Sequence, residues 1–122
     1  MILNREKLLT KEVLEVRKVD LGKGEFVYVK QMTGHERDNF ERSLLKEVKK
    51  GNELDYVRSL EDFRAKLAVN TLCDKEGILL LKPMDYPILS QSMSAARLEK
   101  IVNISQEMNA IKEEDKEKLV KN

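Results

Sequence analysis

Residues 25–40 read EFVYVKQMTGHERDNF, and the organisation of the chain turns on this stretch. It opens as a strand, with Phe26 and Tyr28 on one face and Val27 and Val29 on the other. It closes as a helix start. Thr33 and Glu36 have the spacing of a capping box, in which the Thr33 hydroxyl accepts from the Glu36 amide and the Glu36 carboxylate accepts from the Thr33 amide. Strand, cap and helix therefore follow with no slack between them.

Upstream, residues 13–21 (VLEVRKVDL) alternate as a strand from Val19 to Leu21, while their first half fits a helix as well. Gly22-Lys23-Gly24 forms a tight turn into the next strand, so residues 13–32 make a β-hairpin. The three residues also resemble part of a phosphate loop, but such loops run into a helix rather than a second strand. A two-stranded hairpin is marginal alone, so it must lean either its Phe26/Tyr28/Met32 face or its Val face on helices. Before it, Asn4 caps a short helix through Leu8 and Leu9, or residues 1–10 form an arm.

Downstream, the spacing predicts a helix from Gly34 to about Lys50, with Phe40, Leu44, Leu45 and Val48 as its apolar stripe. Gly51 stands where a left-handed C-cap belongs, behind the Lys49-Lys50 pair. Leu54, Val57, Leu60 and Phe63 continue in helical spacing, with a break near Arg58-Ser59. A helix from Leu60 to Leu72 then buries Phe63, Leu67, Ala68 and Leu72. Asp74 to Gly77 is a polar turn, and Ile78 to Leu81 a short extended run. Pro83 suits the first residue of a helical turn. Pro87 limits that turn, giving a short helix or elbow over Pro83–Leu89. The last long helix starts near Ser92 or Ser94 and ends about Asn109, burying Leu98, Ile101, Val102, Ser105 and Met108. The charged residues 112–122 continue as a weak helix through Leu119 or as an arm. The fold class expected is α+β: an N-terminal β-hairpin and a mainly helical body of four to five helices, in one domain over residues 1–122.

Composition narrows the function. The 122 residues carry 23 Lys plus Arg against 22 Asp plus Glu, a net charge of +1 that gives no global field to attract nucleic acid or an anionic membrane. Aromatics are 5% with no Trp, which disfavours base-stacking platforms. The longest apolar run, Ile78 to Leu81, is too short for a bilayer span. The N-terminus is not a secretory signal, and the lone Cys73 suits a reducing cytoplasm.

No catalytic constellation emerges. His35, the only histidine, falls in a solvated first helical turn with no partner ligand. Cys73 is a small core residue rather than a nucleophile, and the acidic residues match no calcium loop. Neither a cofactor nor a metal is expected. Lysines gather at Lys46, Lys49 and Lys50 and at Lys112, Lys116, Lys118 and Lys121, but acidic residues are interleaved with both groups. The segment SQSMSAARLEKIVNISQEMNAI (residues 90–111) carries apolar surface beyond one stripe, at Met93, Ala95, Ala96 and Ile104. This fits either a contact surface or a helix buried on two sides. Met93, Ala95 and Ala96 are therefore candidates for one side of a head-to-tail self-contact, and Val13 and Val19, at the edge of the hairpin, for the other.

Taken in order, VYVKQMTGHERDNFE (27–41), DFRAKLAVNTLCDKEG (62–77) and AARLEKIVNISQEMNAI (95–111) resemble the tail assembly chaperones of long-tailed phages and prophages. The likeness rests on Val27-Tyr28-Val29, Thr33-Gly34-His35-Glu36-Arg37, Phe63-Arg64-Ala65-Lys66-Leu67, Cys73-Asp74-Lys75-Glu76-Gly77 and Met108-Asn109. It is collinear over residues 10–118. The pattern departs at Pro83–Pro87, where family members carry an acidic-capped helix. The resemblance implies a non-enzymatic protein in the cytoplasm of a bacterial host. Such a protein binds the helical tape-measure protein, helps recruit tail-tube subunits, and packs into oligomers or spirals. A small helical nucleic-acid-binding regulator is the alternative.

Overall fold

The computed structural model describes residues 1–111, with the Arg58 side chain left out. The expected helix through Leu119 and the lysines beyond residue 111 lie outside the described residues. The architecture is α+β, an N-terminal hairpin followed by a helical body. In chain order the elements are α1 (Arg5–Leu8), β1 (Val16–Gly22), β2 (Glu25–Lys30), α2 (Gly34–Ser43), β3 (Leu45–Lys50), β4 (Glu53–Arg58), α3 (Phe63–Val69), β5 (Leu72–Cys73), α4 (Tyr86–Ser92) and α5 (Ala95–Met108). A single 3-10 turn, Pro83–Asp85, leads into α4.

The first hairpin closes through a two-residue turn, because Gly22 pairs with Glu25. Lys23 and Gly24 both take positive φ, 56° and 77°, which is the requirement of a type I′ turn. Strand β1 begins at Val16, three residues after Val13. β2 is the central strand of an antiparallel sheet ordered β1-β2-β5, with Tyr28 opposite Cys73 and Val29 opposite Leu72. The valine face is the one that packs. Val19, Leu21 and Val29 are buried and Val27 partly so, whereas Phe26 is exposed and stacks edge-on against Tyr28.

The capping box forms as the spacing predicts. Thr33 Oγ1 accepts from the Glu36 amide at 3.1 Å, and Glu36 Oε1 accepts from the Thr33 amide at 3.0 Å. The helix it starts is shorter than the pattern suggests. It ends at Ser43, and residues 45–58 form a second antiparallel hairpin, Leu45 opposite Arg58 through Lys50 opposite Glu53. Gly51 does take positive φ (64°), but as the first of two central turn residues, where a type II′ hairpin turn calls for glycine, rather than as a helix cap. The Ser59 amide donates to the Leu44 carbonyl at 2.7 Å and ties the hairpin's far end to the end of α2.

α3 also starts later than its apolar spacing implies. Ser59 Oγ accepts from the Glu61 amide instead of capping a helix, and Asp62 takes a left-handed conformation before Phe63. Pro87 does not stop its helix. It lies in the first turn of α4, where its missing N–H costs nothing, and α4 runs past Leu89 to Ser92.

Two apolar clusters share α3 and α5. Val19, Leu21, Val29, Ala68, Leu72, Leu98, Ile101 and Met108 fill the space between sheet and helices. Phe40, Leu44, Phe63, Leu67, Val102 and Ile111 fill the space behind α2, with the Phe40 and Phe63 rings edge-to-face at 5.5 Å. Between α3 and α5 the buried Thr71 and Ser105 hydroxyls pair at 2.8 Å, and Thr71 Oγ1 also donates to the Leu67 carbonyl.

Candidate functional site

Among the described residues, chemistry-bearing side chains do not converge. His35 is exposed in the first turn of α2, its Nε2 3.4 Å from the Asn39 amide nitrogen. Cys73 is buried in β5, and burial pushes its thiol up to about 11 against the opposing pull of Lys30. A thiol held neutral in this way is a poor nucleophile. No group of three or more His, Cys, Asp or Glu among the described residues is placed to hold a metal ion. No described helix is long and apolar enough to cross a membrane.

Lys30 is buried, and its ammonium lies 2.6 Å from Glu36 Oε1, with both side chains mostly shielded from solvent. Burial alone would raise the Glu36 carboxyl. The bonds from Lys30 and from the Thr33 amide outweigh it and hold the carboxyl below its ordinary range. The pair thus fastens the end of β2 to the start of α2. Around it lies a groove of about 620 Å³ lined by residues 11–14, Glu76 and Ile78. A second groove, of about 680 Å³, separates the N-terminal arm from Gln31–Gly34, Arg37 and Asn109.

The five candidate contact residues divide. Val19 is buried in the first cluster at 6% exposure and cannot meet a partner, because its side chain faces the helices. Val13 precedes β1 and is 96% exposed at the rim of the groove around Lys30. Met93, which follows the last residue of α4, and Ile104 of α5 are both partly buried and pack against the first cluster. Ala95 and Ala96 are exposed in the first turn of α5. Met93 and Ala95, with Leu60, Phe63 and Leu98, line a groove of about 340 Å³ between the starts of α3 and α5.

Two exposed apolar groups were not anticipated. Ile78, Leu80, Met84 and Ile88 point outward, while Leu79 and Leu81 turn inward. Leu45, Leu54 and Tyr56 share one face of the second hairpin at 43%, 57% and 62% exposure. The signal for the latter was the Leu54-Asp55-Tyr56 alternation behind Gly51-Asn52, which helical spacing across residues 54–63 masked. The β3 lysines are partly engaged: Lys46 reaches Glu61 at 3.1 Å and Lys50 reaches Asp55 at 3.5 Å. No protein-family model, curated protein or solved structure matches the chain.

Proposed function

We propose that the chain is a protein-binding assembly chaperone of the phage tail type. It acts without catalysis or cofactor in the bacterial cytoplasm, holding a tape-measure protein and helping to bring tail-tube subunits to it. The observation that carries this reading is the exposed apolar side chains on regular elements: Leu45, Leu54 and Tyr56 on one hairpin, Met84 in the turn before α4 and Ile88 within it. Contiguous apolar surface on a folded chain marks a place where another protein is received. A client with long apolar helices needs such a surface to stay soluble before assembly. The ordered motifs from Val27 to Asn109 supply the specific class of client. Self-association lets successive copies cover a long client through linked weak contacts. The ion pairs of Lys46 and Lys50 weigh against the nucleic-acid alternative, since they offset charge that a phosphate backbone would require.

The test is co-expression with the tape-measure protein encoded in the same genome. The expected result is a soluble complex that survives size-exclusion chromatography, with the client insoluble when expressed alone. A client that stays insoluble and never co-elutes would overturn the reading. Salt-sensitive retention of duplex DNA on a filter would replace it with the regulator.

A further inference from the structure

Between Ile78 and Ala96 the chain carries only two charged residues, Lys82 and Asp85, although 37% of all its residues are charged. The stretch Ala65–Cys73 is equally poor in charge, with Lys66 alone, but every residue in it is buried, and burial explains it. Residues 78–96 differ. None of them is buried, and Ile78, Leu80, Met84 and Ile88 stand 66%, 61%, 75% and 69% exposed. Asp85 is turned back on the chain, where its carboxylate accepts from the Lys82 amide at 2.8 Å. An exposed run that holds methionine and little charge has the make-up of an interface core rather than of a solvated face.

The four side chains are held in place by the body. The Ile78 carbonyl accepts from the Asp74 amide at 2.8 Å, and the Leu80 amide donates to the Leu72 carbonyl at 3.1 Å, which fixes that pair beside β5. Beyond Pro83, Leu89 and Met93 pack into the first cluster and Ser90 Oγ donates to Asp62 Oδ1 at 2.7 Å, so the core backs α4. Met84 and Ile88, four positions apart, stay on the outer side. Leu80 and Met84 are joined by at most about 14 Å of chain, so one docked helix can reach both pairs.

The second hairpin also shows apolar side chains, but charges stand among them. Residues directly opposite in an antiparallel ladder share a face, so Glu47 lies beside Tyr56 and Lys49 beside Leu54. A partner covering that face must desolvate both charges. In the Ile78–Ile88 patch the exposed charge is Lys82, whose long stem lets its ammonium stay at the rim.

We infer that the patch of Ile78, Leu80, Met84 and Ile88 receives an amphipathic helix of the client, through an uncharged apolar stripe bordered by carboxylates that meet Lys82. A helix suits it because Met84 and Ile88 form a helical ridge, and such ridges pack into the grooves of another helix. The inference rests on the client-binding role proposed above and narrows it to one surface.

The test titrates the purified full chain with synthetic peptides of about 18 residues, long enough to form a helix. One has a leucine stripe bordered by glutamates, another the same stripe bordered by lysines, and a control scrambles the first. Heteronuclear NMR of the backbone amides reads where each binds. Shifts are expected to concentrate in residues 78–92 with the glutamate peptide, to need several-fold more of the lysine peptide, and to be absent with the scramble. Met84→Glu and Ile88→Glu, at exposed positions and checked for folding by circular dichroism, are expected to weaken the glutamate peptide by about tenfold or more. Leu54→Glu and Tyr56→Glu are expected to leave it unchanged, and Lys82→Glu to reverse the preference between the two helices.

Shifts centred on the second hairpin, equal binding of the scramble, or no shifts at millimolar peptide overturn the inference. So do shifts in residues 78–92 that grow with protein concentration alone, which give the patch to a second copy. Co-expression separates this surface from the role it serves. A Met84→Glu chain that still keeps the client soluble overturns the surface and leaves the chaperone role. Peptide binding as expected, beside a client that never co-elutes, removes the role and leaves the surface.

Discussion

Asn109, at the end of α5, accepts through Oδ1 from the backbone amide of Met32 at 2.7 Å, although 77 positions separate them. The same side chain donates through Nδ2 to the Ser105 carbonyl at 2.9 Å and to the Lys30 carbonyl at 3.4 Å. Arg37 of α2 donates to the Asn109 carbonyl at 3.1 Å. One asparagine thus ties the exit of β2, the start of α2 and the end of α5 into a single junction, which places the first sheet against the helical body.

Asn109→Ala leaves the Met32 amide in a part-buried site without its acceptor. The expected loss of stability is about 1–3 kcal/mol, the scale of an unsatisfied buried donor. Asn109→Asp retains the acceptor and loses the donor, so it falls between wild type and alanine. Urea unfolding measures both. An alanine variant with the wild-type midpoint would show that water replaces the amide and that the junction does not depend on it.

Thr33→Ala removes the oxygen that accepts from the Glu36 amide. The cost expected is about 1 kcal/mol, the usual scale for an N-cap. Thermal melting gives the answer directly. An unchanged midpoint is incompatible with a capped helix start at this residue.

Phe63 is buried with Phe40, Leu44 and Leu67, and its ring meets Phe40 edge-to-face. Phe63→Ala opens a cavity between α2 and α3 and is expected to cost about 3–5 kcal/mol. Phe63→Leu fills most of the space and is expected to cost far less. Equal effects for the two substitutions, or a loss typical of a surface site, would contradict this packing.

The pH dependence follows from Glu36. Its carboxyl titrates below the ordinary value of 4.5 in the folded chain, so the unfolded chain binds the proton more readily. The stability it contributes is fully present above the unfolded value and is lost as pH falls through the folded one. Glu36→Gln is therefore less stable than wild type near neutrality, and the difference narrows as the solution is acidified. Melting midpoints of the two proteins across the acid range test this, and parallel curves would show that the shift does not contribute.

The sequence by itself determined the features whose bonds close within a few residues. Thr33 and Glu36 satisfy each other across three positions, and Gly22 and Gly24 take the positive φ of their turn without a Cβ penalty. The stripe from Leu98 to Met108 marked the buried face of α5 because one helix carries the whole pattern. Candidate contact residues were legible only as apolar positions, so Val19 was indistinguishable from a residue at a free edge. Its burial depends on which face of the hairpin the helices cover. That choice fell to the valines because α3 and α5 present Ala68, Leu98 and Ile101 to them.

Residues 45–58 show the same limit more sharply. A glycine with positive φ ends a helix or turns a hairpin equally well, and Leu44, Leu45 and Val48 fit a helical stripe while Leu54 and Tyr56 fit a strand. Local propensity leaves the two alternatives close in energy. What separates them is the strand ladder from Lys50–Glu53 back to Leu45–Arg58, closed by the Ser59–Leu44 bond, and every link in it joins residues the helical reading holds apart. Strand pairing is a non-local interaction, so only the tertiary structure decided where α2 stops and which apolar side chains remain on the surface.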